Sequence, residues 1–211
     1  YIKKDDLKQL MREVTNMSRL HHLTIVQFKG FNFRSFTDND NFHPTIITQY
    51  VGNKNLRQIL DDVRHNLPPN EWNETKQLLI LLGLSDSMRY LHKNNIIHLN
   101  LIAENVLLDE NLHPYLNGFS HSRNLPESMV ASSPDSPILI GFKVDVFSFA
   151  LIALEILTKK SPSEAKRQIS KGKLVFPSNV NQNIKTLIQS CLDSDPNKRP
   201  NFDEIFQKIS S

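Results

Sequence analysis

The sequence predicts an α+β fold in which one helix and two short strands precede a larger, mainly helical body. Three observations carry this. Residues 5–20 space their apolar side chains as a helix does, two short apolar runs follow, and from Glu71 onward helical spacing dominates to the end.

In order, DDLKQLMREVTNMSRL at 5–20 repeats Leu7, Leu10, Met11, Val14, Met17 and Leu20 at helical intervals. Its acids come first, where the helix dipole favours them. Thr24–Phe28 and Thr45–Val51 read as strands on either side of the polar stretch Thr37–His43. Asn55–Val63 predicts a short helix, and the Pro68-Pro69 pair marks a break. Glu71–His92 predicts a long helix whose apolar face includes Leu78, Leu81, Leu82, Met88 and Leu91. Ile96-Ile97 and Val106–Leu108 are β-like pieces around a polar turn. Residues 120–141 are rich in Ser and Pro and read mostly as loop. Val144–Leu157 is apolar nearly all round and predicts a buried helix, interrupted by Ser148 and Glu155. Shorter helices near 162–171, 181–192 and 202–210 close the chain.

With 211 residues, 39% hydrophobic and 22% charged, the chain can bury a sizeable core. Its net charge is +3, and the 25 basic residues are scattered, which argues against a nucleic-acid surface. Cys191 is the one cysteine, so intramolecular disulfides and cysteine-rich zinc sites are excluded. That suits a reducing compartment. No apolar run reaches the length of a membrane span and no signal peptide is visible, so a cytoplasmic location is expected. The first residue is Tyr1 rather than Met, and a piece of a longer protein is the expectation. His21-His22 have no cysteine or acidic ligand pattern beside them, and no metal site is expected there.

Three stretches carry a resemblance: IIHLNLIAENVLLD at 96–109, KVDVFSFALIALEILT at 143–158 and CLDSDPNKRPNFDEI at 191–205. In this order and spacing the chain resembles a protein kinase, nearest in character to the tyrosine-kinase-like group. The first looks like the catalytic loop H-R-D-L-x-x-x-N, the second like the central helix of the large lobe, the third like the closing segment with its Arg-Pro pair. The resemblance implies a two-lobed kinase fold, with residues 1–50 as part of the N-lobe and 51–211 as a complete C-lobe. It also implies roles. Glu13 stands where a helix glutamate pairs with a strand lysine. Thr48 is the gatekeeper, with Gln49, Tyr50 and Val51 as hinge, and Leu107 supports an adenine ring. Met17, Phe28, His98 and Phe119 form the regulatory apolar stack, anchored by Asp145. Asp135 pairs with Arg199.

The residues themselves leave room for plainer readings. His98 among apolar neighbours reads as a packed core histidine, and Glu13 without a lysine as a solvated helix residue. Asn100 and Gly118 read as ordinary loop residues.

Phosphoryl transfer needs positioning and charge neutralisation above all. Here the catalytic loop reads His98-Leu99-Asn100, and an amide at 100 is no carboxylate base; a positioned base is worth about 10²–10⁴ in rate. The metal triplet D-F-G becomes Gly118-Phe119-Ser120, and glycine offers hard Mg²⁺ no carboxylate oxygen. Ile102 replaces the loop lysine and Leu99 the loop arginine. Asn105 alone remains of the side chains expected at the metal. No glycine-rich phosphate loop is present, since Gly30 is the first of six glycines, and Lys3 and Lys4 stand too near Glu13 to be the strand lysine. That lysine is expected just upstream of Tyr1. The expectation is a non-catalytic binding or regulatory module with protein partners and neither ATP nor Mg²⁺ held by this chain. The rival is an active ATP-dependent protein Ser/Thr kinase completed by upstream residues; a third reading is a decayed fragment. Ser132 and Ser133 are loop serines whose phosphorylation the sequence does not decide.

Overall fold

A computed structural model describes residues 4–32, 44–52, 54–125 and 137–211. Helix α1 (Lys4–Met17) leads to β1 (Phe28–Asn32) and β2 (Thr45–Thr48), an antiparallel pair that matches Phe28 with Thr48 and Asn32 with Thr45. Then come α2 (Leu56–Arg64), α3 (Glu74–Lys93), β3 (Ile96–Ile97), β4 (Val106–Leu108), β5 (Pro114–Leu116) and β6 (Arg123–Asn124). Four helices finish the chain: α4 (Pro137–Thr158), α5 (Pro162–Ser170), α6 (Gln182–Cys191) and α7 (Phe202–Ser210). Among the described residues the sheets are two-stranded: β1 with β2, β3 with β6, and β4 with β5. A small helix-and-hairpin unit followed by a large helical body is the two-lobed α+β architecture.

The helices start where the sequence supplies caps. Asn55, Asn73, Ser161 and Asn201 each accept an N–H of the first turn, and at Asn55, Ser161 and Asn201 the residue three on returns the bond. A cap of this kind is worth about 1 kcal/mol. Helix α4 is the core axis, with Val146, Phe149, Ala150, Ala153, Leu154 and Ile156 all buried. It packs against α3, α5 and α6, and α3 packs along α7. Gly83 in α3 lets the β4–β5 hairpin close in, because a Cβ there would lie 2.6 Å from Pro114 Cγ.

Three expectations change. The first strand begins at Phe28, not Thr24, because Thr24–Val26 is drawn onto the large lobe instead. There the Leu116 N–H donates to Thr24 O at 2.8 Å and the Val26 N–H to Leu116 O at 3.0 Å. The inner face of α3 is centred on Ile80, Leu84, Met88 and Leu91, and Leu78, two residues off that stripe, is 38% exposed. The central helix starts at Pro137, so residues 137–141 are helical rather than loop.

Candidate functional site

The segment after β3 is held by one buried carboxylate. Asp145, on α4, accepts the His98 N–H at 2.8 Å and the Leu99 N–H at 2.9 Å, and its Oδ2 lies 3.0 Å from His92 Nε2. Leu99 sits at φ 60°, a left-handed conformation that costs an L-residue about 1–2 kcal/mol. The paired N–H bonds to Asp145 hold it there.

His98 is fully buried, and its Nδ1 accepts the Asn100 N–H at 3.2 Å. The ring proton therefore sits on Nε2, which donates to the Asn117 carbonyl at 3.0 Å. Burial pushes its pKa down against the pull of Asp145, so the ring is neutral at pH 7. Its edge meets the Phe119 ring with centroids 5.0 Å apart. The geometry is that of a packed core histidine with both nitrogens occupied.

Asn100, Asn105 and Gly118 come together. The Asn105 side-chain Nδ2 donates to the Asn100 carbonyl at 2.8 Å, and the Asn105 carbonyl accepts the Asn117 N–H at 2.8 Å. Gly118 has φ 82°, and a Cβ placed on it would meet Asn105 Nδ2 and Oδ1 at 2.5 Å. The Asn105 carboxamide thus lies in the space that any side chain at 118 would take. Leu99 and Ile102, at 37% and 42% exposure, put apolar surface where the family motif has charge.

Helix α1 is tied to the same triplet. Burial pushes the Glu13 carboxyl above its ordinary pKa, while the Phe119 N–H it accepts and the nearby His121 pull the other way. Asn16, itself buried, donates to Ser122 Oγ at 2.7 Å, and that hydroxyl donates to the Phe119 carbonyl at 2.6 Å. Glu13 is therefore half-buried and bonded to backbone rather than simply solvated.

The other positions singled out in the sequence are spread more widely. Met17 and Phe119 are buried with His98, whereas Phe28 is only partly buried. Thr48 ends β2, and the Gln49 N–H after it donates to Gln27 O at 2.7 Å. Tyr50 is 88% exposed, and Val51 and Leu107 are partly buried against the core. Leu107 pairs with Tyr115 in the β4–β5 hairpin and bridges to Asn55. Asp135, Ser132 and Ser133 lie outside the described residues. Among the described residues Arg199 donates to the Asp193 carbonyl at 2.9 Å and the Lys143 carbonyl at 2.8 Å, with Phe147 beneath its guanidinium. His22 spends its ring on Asp86 at 3.3 Å and Thr24 at 3.0 Å.

Sequence reasoning did not find the ion network beside the loop. Glu155, buried in α4, takes the guanidinium of Arg57 and, at 2.9 Å, that of Arg64, while Arg57 Nε also reaches Glu104 at 2.9 Å. The bond to Glu155, chiefly, raises the Arg57 pKa. The signal was there in part, since Glu155 is one of two acids in a largely apolar helix, the other being Asp145.

Comparison with known proteins gives a consistent answer. The family described as protein tyrosine and serine/threonine kinase matches residues 1–209. A probable serine/threonine-protein kinase of Dictyostelium discoideum is 30% identical across 99% of this chain and 21% of its own length. A dual specificity protein kinase of the same organism is 27% identical across 97% of the chain and 16% of its own. A serine/threonine-protein kinase of Arabidopsis thaliana is 28% identical across 96% of the chain and 37% of its own. The chain thus spans well under half of each of these relatives. With the fold, the loop held by Asp145 and a match along nearly the whole chain, this protein belongs to the protein tyrosine and serine/threonine kinase family.

Proposed function

We propose that this chain is a pseudokinase domain of the tyrosine-kinase-like group, a cytoplasmic module that keeps the kinase frame for binding or regulating protein partners and does not transfer phosphate. In this reading residues 1–50 supply a partial small lobe and 51–211 the large lobe. Thr48, Tyr50, Val51 and Leu107 mark the vestige of the adenine site. Its strongest support is the Asn105 carboxamide packed over Gly118.

The kinase fold implies ATP and Mg²⁺, and the residues present do not fit them. Gly118 offers no carboxylate, and the space a side chain there would need is filled by Asn105. Asn105 commits its Nδ2 to the Asn100 carbonyl. Asn100 is no base, and Ile102 brings no positive charge to a phosphate.

The rival, an active ATP-dependent protein Ser/Thr kinase, draws support from relatives that are named kinases and from Glu13, Asn105 and Asp145 standing in the family pattern. Transfer of radiolabelled phosphate from ATP to a generic protein substrate separates the two. The pseudokinase reading expects no transfer by the chain, and none after the triple change Asn100→Asp, Ile102→Lys and Gly118→Asp, because the new side chain at 118 collides with Asn105 and in-line positioning is lost. Transfer by the unsubstituted chain that disappears in Asn105→Ala establishes the active kinase instead.

A further inference from the structure

On the far side of α2 from the ion network, a groove of about 440 Å³ opens between that helix, the connection to α3 and the β4–β5 hairpin. Such a volume lies within the roughly 300–1,000 Å³ typical of ligand sites. Its floor is apolar: Ile59, Leu108 and Leu112 line it and are buried to 5% exposure or less. Leu112 reaches that floor from φ 62°, so a leucine is held in a left-handed conformation to seal the groove. Leu67, on the wall, follows another left-handed residue, Asn66, and is 70% exposed. A scattered surface leucine is ordinary; one standing on the wall of a polar-rimmed groove with an apolar floor offers contact to a second apolar side chain.

The rim has a definite sign. Asp62, Glu71, Asp109 and Glu110 line the groove against a single lysine, Lys54, on a chain whose net charge is +3. Lys54 neutralises Asp62 at 2.6 Å, and Lys76 reaches Glu71 at 3.0 Å. Burial would raise the Asp109 carboxyl, but bonds from the His113 and Asn111 N–H groups and the His113 ring hold its pKa low, so it stays ionised. Glu110 is exposed and no bond or ion pair engages it among the described residues. An apolar floor under a mostly anionic rim repels acidic ligands and attracts cations that carry aliphatic surface.

The geometry points to a docking groove for a short protein segment that places a Leu-, Ile- or Met-sized side chain between Leu67 and Leu112 and a Lys or Arg against Glu110. Neither Asn105 nor Gly118 lines this groove, and the proposal does not depend on whether the chain transfers phosphate.

The test is selection of a random short-peptide library on the 211-residue chain, with counter-selection on chain carrying Leu67→Ser and Glu110→Lys. Trp72 is the one tryptophan and lies in the connection that walls the groove, so its fluorescence reports binding of the selected peptides. The expected consensus joins an aliphatic residue to Lys or Arg. Binding should be saturable and weaken with salt, and it should fall about tenfold in Glu110→Lys alone or Leu67→Ser alone. Both side chains are exposed, so an unchanged melting temperature shows that each variant folds. Failure to enrich any sequence over the doubly substituted chain, a consensus without basic residues, or affinity unchanged in both single variants overturns the proposal. So does self-association removed by the same substitutions, which assigns the groove to a second copy.

Discussion

Gly118 and Gly172 both have positive φ, but only Gly118 has a neighbour where its Cβ would go. Gly172→Ala should therefore show the backbone penalty alone, about 1–2 kcal/mol. Gly118→Ala should show that penalty plus overpacking against Asn105, about 1–3 kcal/mol more. Denaturant unfolding of both variants measures the difference, and a double substitution with Asn105→Ala should recover most of the added loss. Equal losses at the two glycines would mean that Asn105 does not cover 118. Glu13 gives a test of sign. Burial raises its folded pKa above 4.5, so the folded state holds its proton more tightly than the unfolded chain does. The associated stability is complete below pH 4.5 and is lost as pH rises through the folded pKa. Glu13→Gln, which can still accept the Phe119 N–H, should raise the melting temperature at pH 7 and leave it unchanged near pH 4. A glutamate held by a lysine has the opposite shift, and Glu13→Gln would then lower stability at pH 7.

At the scale of elements, α2 and α4 are joined through Glu155. With the carboxylate removed, Arg57 and Arg64 are left with 18% exposed side chains and no buried counter-charge. Glu155→Ala should cost about 3–5 kcal/mol. Glu104→Ala, at a carboxylate 48% exposed, should cost about 0–1 kcal/mol. Chemical denaturation compares them, and similar small losses would show that the network adds little. The same elements show what the sequence revealed. Helices α2, α5 and α7 were legible because caps and apolar spacing agree locally. The first strand was misplaced because Thr24–Val26 has strand propensity, yet its hydrogen bonds go to Leu116, a partner far along the chain. The β5 and β6 pieces were missed for the same reason, being short strands defined by pairing rather than by pattern.

Across the whole molecule, the frame and the chemistry separate. Asp145, His98 and Phe119 build a buried, fully bonded support for the loop, and α1 is latched to it through Glu13 and Asn16. The support was legible because its residues match a motif one by one. The covering of Gly118 by Asn105 was not, since it depends on how the two ends of the β4–β5 hairpin meet. Sequence showed that a carboxylate is missing; the fold adds that its space is taken. The proposed pseudokinase function requires that metal-dependent nucleotide binding be lost, and a thermal melt of the chain with ATP, with and without Mg²⁺, tests this most directly. No Mg²⁺-dependent rise in midpoint is expected at millimolar nucleotide. A site occupied at a hundredfold its dissociation constant adds about 2.7 kcal/mol, or roughly 5–10 °C for a chain of this size. A rise of that order that requires the metal would contradict the account.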